Sequence, residues 1–268
     1  MDTNYEGYVF GLDIGTRSIV GTVGYRVGVD RFVVVAQESI EHTTRAVIDG
    51  QIHDIGTVSK TIVEVKAALE KRLQQTLSEV SIAAAGRVLK TCEVHIEHSF
   101  DDETKVTSDH IRNMEMAGVE RAYEEISSGV DHKDKKFFCV GYSAARYYLN
   151  GYQMDMLEQH PAKSIGMDLI ATFLPDEVVE GLYAAVENAG LHVASLTLEP
   201  IAAINVAIPE KFRLLNIAMV DVGAGTSDIS IVKDGAIIGY GMIPLGYVEK
   251  FIYLFVSIQI NSCYIEEK

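Results

Sequence analysis

Residues 8–25 read YVFGLDIGTRSIVGTVGY, and residues 217–238 read IAMVDVGAGTSDISIVKDGAII. In each, an apolar strand ends in an aspartate, Asp13 or Asp221. A glycine follows two residues later, Gly15 or Gly223, and then a second β-rich run returns. A tight glycine turn leaves backbone N–H groups and small hydroxyls pointing outward, a nest suited to phosphate oxygens. The carboxylate at the strand end adds a place for a hydrated magnesium ion. If the two hairpins face each other from two domains, a polyphosphate can be clamped between them, with the metal bridging carboxylates and phosphates. One D-x-G turn is an ordinary hairpin; it is the repetition that carries information.

Composition limits what such a clamp can serve. The chain has 268 residues, 48% of them hydrophobic, enough for one large or two medium cores. Its formal charge of −15 argues against a nucleic-acid or anionic-membrane surface, because an acidic protein is repelled by phosphate unless a basic patch overrides the field. The longest basic cluster, Lys135 and Lys136, sits beside Asp131 and Asp134 and reads as a solvated turn. Cys92, Cys139 and Cys263 lie far apart without a C-x-x-C pair, which gives no support to a zinc ribbon or disulfide framework and fits a reducing cytoplasm. The polar start does not resemble a secretory signal, and the apolar run from Phe251 to Ile260 is about half the roughly 20 residues of a spanning helix.

Periodicity then orders the elements. Three β-rich runs, Tyr8 to Leu12, Ser18 to Tyr25 and Phe32 to Gln37, are followed by an amphipathic helix carrying Val58, Ile62, Val65, Leu69, Leu73 and Leu77. SIAAAG is a short strand, small enough in side chain to be buried on both faces. From about Arg87 to Pro161 the texture changes. The strand LKTCEVHIEH leads to an acidic turn FDDET, then to a helix with Ile111, Met114, Ala117, Val119, Ala122 and Ile126 on one stripe, then to further strands. This reads as a small α+β module inserted in a larger domain, whose own strands resume at GMDLIATFL. A helix capped near Gly190, the strand LHVASLTL, and a helix begun by Glu199-Pro200 lead into the second aspartate hairpin, whose return turn is Lys233-Asp234-Gly235.

Two other readings of this pattern are weaker. An aspartic protease would need a small hydroxyl residue after each aspartate where this chain has Ile14 and Val222, and its mostly β fold does not suit the helices here. An NAD-binding Rossmann domain would need G-x-G-x-x-G opening a helix. The segment GLDIGTRSIVGTVGY resembles the first phosphate motif of the actin-like ATPases, LEPIAA their first connecting motif and VDVGAGTSDISIV their second phosphate motif. Within that superfamily the chain is similar to the FtsA and PilM branch, because the insert falls after the first helix and strand and contains VTSDHI, like the V-T-x-x-D-I helix start of those relatives.

The resemblance implies an α/β, ribonuclease H-like actin fold. A first subdomain would span 1–85 and 163–200, an inserted SHS2-type α+β subdomain 86–162, and an incomplete second subdomain 201–268. It implies ATP and Mg2+ as cofactors. Asp13 would be a ligand of the metal's water, Gly15, Thr16, Arg17 and Ser18 the first phosphate loop, and Gly223, Gly225, Thr226 and Asp228 the second. Asp221 would face metal and attacking water, and Glu199 would orient that water, unless it is a simple helix N-cap. The implied role is a cell-division or pilus-assembly adaptor, with partners and self-association through the insert and membrane contact only through a partner. Alternatives are a sugar- or acetate-kinase-like phosphotransferase, which would need a polar substrate cleft in its insert, and a chaperone-type ATPase. After Leu245 the pattern departs from the family. A C-terminally truncated product or a fragment of a longer chain is expected, with weak nucleotide binding, little turnover, and an aggregation-prone tail whose removal would leave the rest folded.

Overall fold

The computed structural model describes residues 7–28, 31–84, 89–128, 136–208, 212, 215–233, 236–243, 246 and 252–257. β1 (Val9–Ile14), β2 (Ser18–Val27) and β3 (Arg31–Glu41) form an antiparallel meander, followed by a small hairpin, β4 (Val47–Ile48) and β5 (Gln51–Ile52). Asp54 caps α1 (Ile55–Leu73) by accepting from the Thr57 N–H, and Val58, Ile62, Val65 and Leu69 recur at helical spacing to bury one face. β2 gives way to that face at Gly21, where a Cβ would lie 2.5 Å from Val65 Cγ1 and 2.8 Å from Leu69 Cδ1. β6 (Glu79–Ala84) returns parallel to β1.

β7 (Lys90–Lys105), α2 (Ser108–Ser127), β8 (Phe137–Leu149), β9 (Tyr152–Met154) and β10 (Pro161–Pro175) make the inserted unit, a sheet in the order β7-β10-β8-β9 with α2 on one face. Its core, centred on Ile165, Met167, Leu169 and Phe173, is separate from that of the first sheet. Two expectations change here. FDDET does not end the strand as a turn: β7 runs on to Lys105, but its pairing with β10 skips from Ser99 to Thr104, so residues 100–103 bulge out opposite Lys163 alone. The expected boundary at 162/163 falls inside β10, which pairs with β7 over Pro161–Phe173 and with β8 over Ile165–Pro175. The charged turn at 129–135 lies outside the described residues.

The chain returns to the first core through α3 (Asp176–Asn188), with Asp176 and Glu177 in its first turn and Gly190 just beyond its end at φ +70°. β11 (His192–Leu198) completes the first sheet, β11-β6-β1-β2-β3, and α4 (Glu199–Ala207) leads on. β12 (Ile217–Val222), β13 (Ser227–Lys233), β14 (Ala236–Ile243) and β15 (Ile252–Ser257) form the third sheet, in the order β14-β13-β12-β15. Asp234 and Gly235 lie outside the described residues, while Lys233 and Ala236 pair across the hairpin. In the apolar tail, 252–257 pairs antiparallel with β12, and Phe251, Ile258 and Ile260 lie outside the described residues. No helix among the described residues is long and apolar enough to cross a membrane.

Candidate functional site

The two aspartate hairpins close in the same way. The Gly15 N–H donates to the Ser18 carbonyl at 3.1 Å, and the Gly223 N–H donates to the Thr226 carbonyl at 2.8 Å. Asp13 and Asp221 occupy equivalent register positions, paired with Val20 and Asp228 of the returning strands. The hairpins face each other across a cleft of about 620 Å³. Its walls hold Asp13, Gly15, Thr16, Arg17 and Ser18 from the first, Asp221, Gly223, Thr226 and Asp228 from the second, and Glu199 from α4. Gly225 meets the opposite loop directly, since a Cβ there would lie 2.7 Å from Thr16 Oγ1 and 2.8 Å from its Cγ2. All the residues expected at the site are thus brought together.

Four carboxyls share this cleft and repel one another. Burial, with added repulsion from Asp221, pushes Asp13 up to about 6, although its side chain opens onto cleft water. Asp228, only 6% exposed, is pushed up to about 6 by burial and again by Asp221, against a stabilising hydrogen bond from Thr226. Burial also raises Asp221. Glu199 is raised well above the ordinary carboxyl range by burial and then by Asp13, Asp228 and Asp221. It is not the N-cap of α4; that position is Leu198, and Glu199 is the first helical residue, followed by Pro200.

Asp221 Oδ1 and Asp228 Oδ1 are buried without a hydrogen-bond partner. Crowded carboxyls with orphaned oxygens fit a cation that would neutralise them. Among the described residues no three His, Cys, Asp or Glu side chains converge closely enough to enclose a metal. An all-carboxylate donor set of this kind suits a hard, oxygen-ligated cation.

Two features escaped the sequence. The His42 ring nitrogen Nε2 lies 3.1 Å from the Gly15 carbonyl, and the His42 N–H donates to the Arg17 carbonyl at 3.0 Å, bracing the first loop from below. Arg17 itself pairs with Glu41 at 2.8 Å. The hint available was register: the end of β3 must lie beside Ser18. The second feature lies in the insert, where Asp168 accepts from His95 Nδ1 at 2.6 Å, Tyr148 Oη at 2.7 Å and Arg146 at 3.0 Å. No local motif announces that cluster.

No protein-family model matches the chain. It is 23% identical over 242 residues to the cell division protein FtsA of Pseudomonas aeruginosa, covering 88% of this chain and 54% of that protein. It is likewise 23% identical over 238 residues to FtsA of Escherichia coli K12, covering 88% and 53%. The chain spans about half the length of the curated relatives it matches. Among solved structures, the PilM-PilN type IV pilus biogenesis complex aligns with a TM-score of 0.58 at 14% identity, over 89% of this chain and 62% of that one. With twin glycine turns under strand-end aspartates on two facing sheets, this chain carries the actin-like ATPase fold over most of its length.

Proposed function

We propose that the cleft binds the phosphates of a magnesium nucleotide, ATP or ADP, and that the chain serves as an FtsA-like adaptor in a cell-division assembly. The observation that carries the reading is the pair of identically closed turns, each beneath an aspartate, lining one cleft. The backbone N–H groups and the hydroxyls of Thr16, Ser18 and Thr226 would hold phosphate oxygens. Asp13 and Asp221 would hold the metal's waters, and Glu199 and Asp228 would order water beside them. The metal, when bound, supplies positive charge that neutralises phosphate and carboxylate oxygens together.

Affinity would rest on phosphates and metal, in the high micromolar to millimolar range, about −4 to −6 kcal/mol. Turnover is slow or nil. The insert would be an SHS2-type subdomain that meets division or pilus-assembly proteins and serves self-association, and membrane contact would come through such a partner. A PilM-like pilus role is the second reading, supported by the fold alignment to that complex. A phosphotransferase is disfavoured because none of the residues lining the cleft comes from the insert.

Isothermal titration of the chain with ATP, with and without magnesium, tests the reading. Binding that requires magnesium and disappears in Asp13→Ala and Asp221→Ala is the expected outcome. Binding indifferent to both substitutions would overturn it.

A further inference from the structure

We propose that the free edge of β3 is a self-association surface, on which a second copy of this chain adds its own β3 antiparallel about a two-fold axis. β3 is the outermost strand of the first sheet, and among the described residues no strand pairs with its far side. It reads RFVVVAQESIE, long and without proline, lysine or glycine. Proline and lysine are two of the devices with which proteins blunt an edge; the charges here, Arg31, Glu38 and Glu41, lie at the two ends of the strand, and its bulge falls at Val35. Phe32, Val34 and Val35 are 46%, 55% and 37% exposed. α1 covers one face of the strand, and its Arg72 donates to the Gln37 carbonyl at 3.2 Å, a contact that an incoming strand would displace at that one position.

A bulge sets the register. Val23 and Gly24 of β2 pair with Ala36 and Val34, so Val35 is an extra residue and the alternation of side chains reverses there. Ala36 is buried in the core under α1, while Phe32 and Gln37 line the cleft on the opposite face. An axis midway between Val34 and Val35 then sets Phe32 opposite Gln37 of the second copy, both on the cleft face. Val33 falls opposite Ala36 of the second copy on the helix face, and Arg31 opposite Glu38, an oppositely charged cross-strand pair made twice. In a strand without the bulge this axis would oppose side chains on different faces. Moving it by half a residue either way sets Phe32 against Ala36 or Glu38, which project from the other face. The strand is thus self-complementary in shape, face and charge about one axis, as a two-fold interface requires.

The net charge of −15 repels two copies at long range, and physiological salt screens that repulsion beyond about 8 Å. Sedimentation velocity of the full chain, from about 5 to 100 μM in about 150 mM salt, should show a monomer–dimer equilibrium. Arg31→Glu and Glu38→Arg each set like charges opposite one another and should weaken the dimer about tenfold. The combined Arg31→Glu, Glu38→Arg chain restores both pairs and should recover wild-type association. Val34→Lys, an exposed position, should yield monomer with an unchanged circular dichroism spectrum. A wild type that stays monomeric over this range, a dimer indifferent to the single reversals, or a double reversal that fails to recover it would each overturn the proposal. None of these outcomes depends on nucleotide binding.

Discussion

Asp228→Asn should stabilise the protein at the expense of its site. Asp228 is almost wholly buried with one carboxyl oxygen unpartnered, and burial together with Asp221 lifts it from 3.8 to about 6. A carboxyl whose folded value exceeds its unfolded one binds more protons in the native state between the two. Stability therefore falls as pH climbs from about 4 to about 6 and stays low above that. The lift of about two pKa units corresponds to ~3 kcal/mol at neutral pH. An amide of the same shape carries no charge for Asp221 to repel. The variant should match wild type near pH 4 and melt roughly 6–12 °C higher at pH 8, at 2–4 °C per kcal/mol for a chain of this size. Magnesium with pyrophosphate should raise wild type and leave the variant where it is. Thermal unfolding by circular dichroism from pH 4.5 to 8 reads all of this. A wild-type profile that is flat with pH, or a variant that melts below wild type at pH 8, would refute the reasoning.

Gly225→Val should cost at least about tenfold in magnesium-ATP affinity by calorimetry, because its side chain would enter the space held by Thr16 and prop the two loops apart. Gly21→Ala should destabilise by about 1–3 kcal/mol in urea unfolding, since its methyl meets Val65 and Leu69 beneath α1. In the insert, burial would raise Asp168, but hydrogen bonds from Tyr148 and His95 and the charges of His95 and Arg146 hold it below its usual range. The Asp168 hydrogen bond raises His95. That contribution is full below the ordinary histidine value and fades as pH rises through the folded one, so Asp168→Asn should cost about 1–3 kcal/mol at pH 6 and less at pH 8. An excised segment 89–175 should unfold cooperatively, whereas 86–162 should not, because it lacks nearly all of the strand between β7 and β8. Deleting 252–257 should lower thermal stability, because β12 loses a paired neighbour.

The parts of the fold that could be read from sequence are those with local signatures. The D-x-G turns at Asp13 and Asp221 declare strand, turn and strand within a few residues, and α1 declares itself through Val58, Ile62, Val65 and Leu69. Pro200 likewise marks where α4 begins, to within a residue, while the candidate role of Glu199 comes only through the resemblance. What could not be read depends on pairing over long separations. Asp101 and Asp102 look like the end of a strand, yet they sit in a bulge within β7, whose ladder resumes at Thr104 opposite Ala162. Asp168 looks like an exception in an apolar strand until His95, 73 positions earlier, supplies its partner. His42 matters through the hairpin register that puts it beneath Gly15, which no residue type announces.

The central strand of the insert has a mechanical consequence. β10 runs 15 residues, about 50 Å at 3.3 Å per residue, and passes without a break into α3. α3 in turn is anchored by Val179, Leu182 and Val186 in the core that also holds Leu12 and Ile14 of β1. Paired on both sides by β7 and β8 from Ile165 to Phe173, that part of the strand resists stretching and acts as a push-rod. A tug at the outer end of that two-sided ladder, near Ile165, is therefore delivered to the sheet that carries Asp13, and a change in the cleft can be felt as displacement at that distant end.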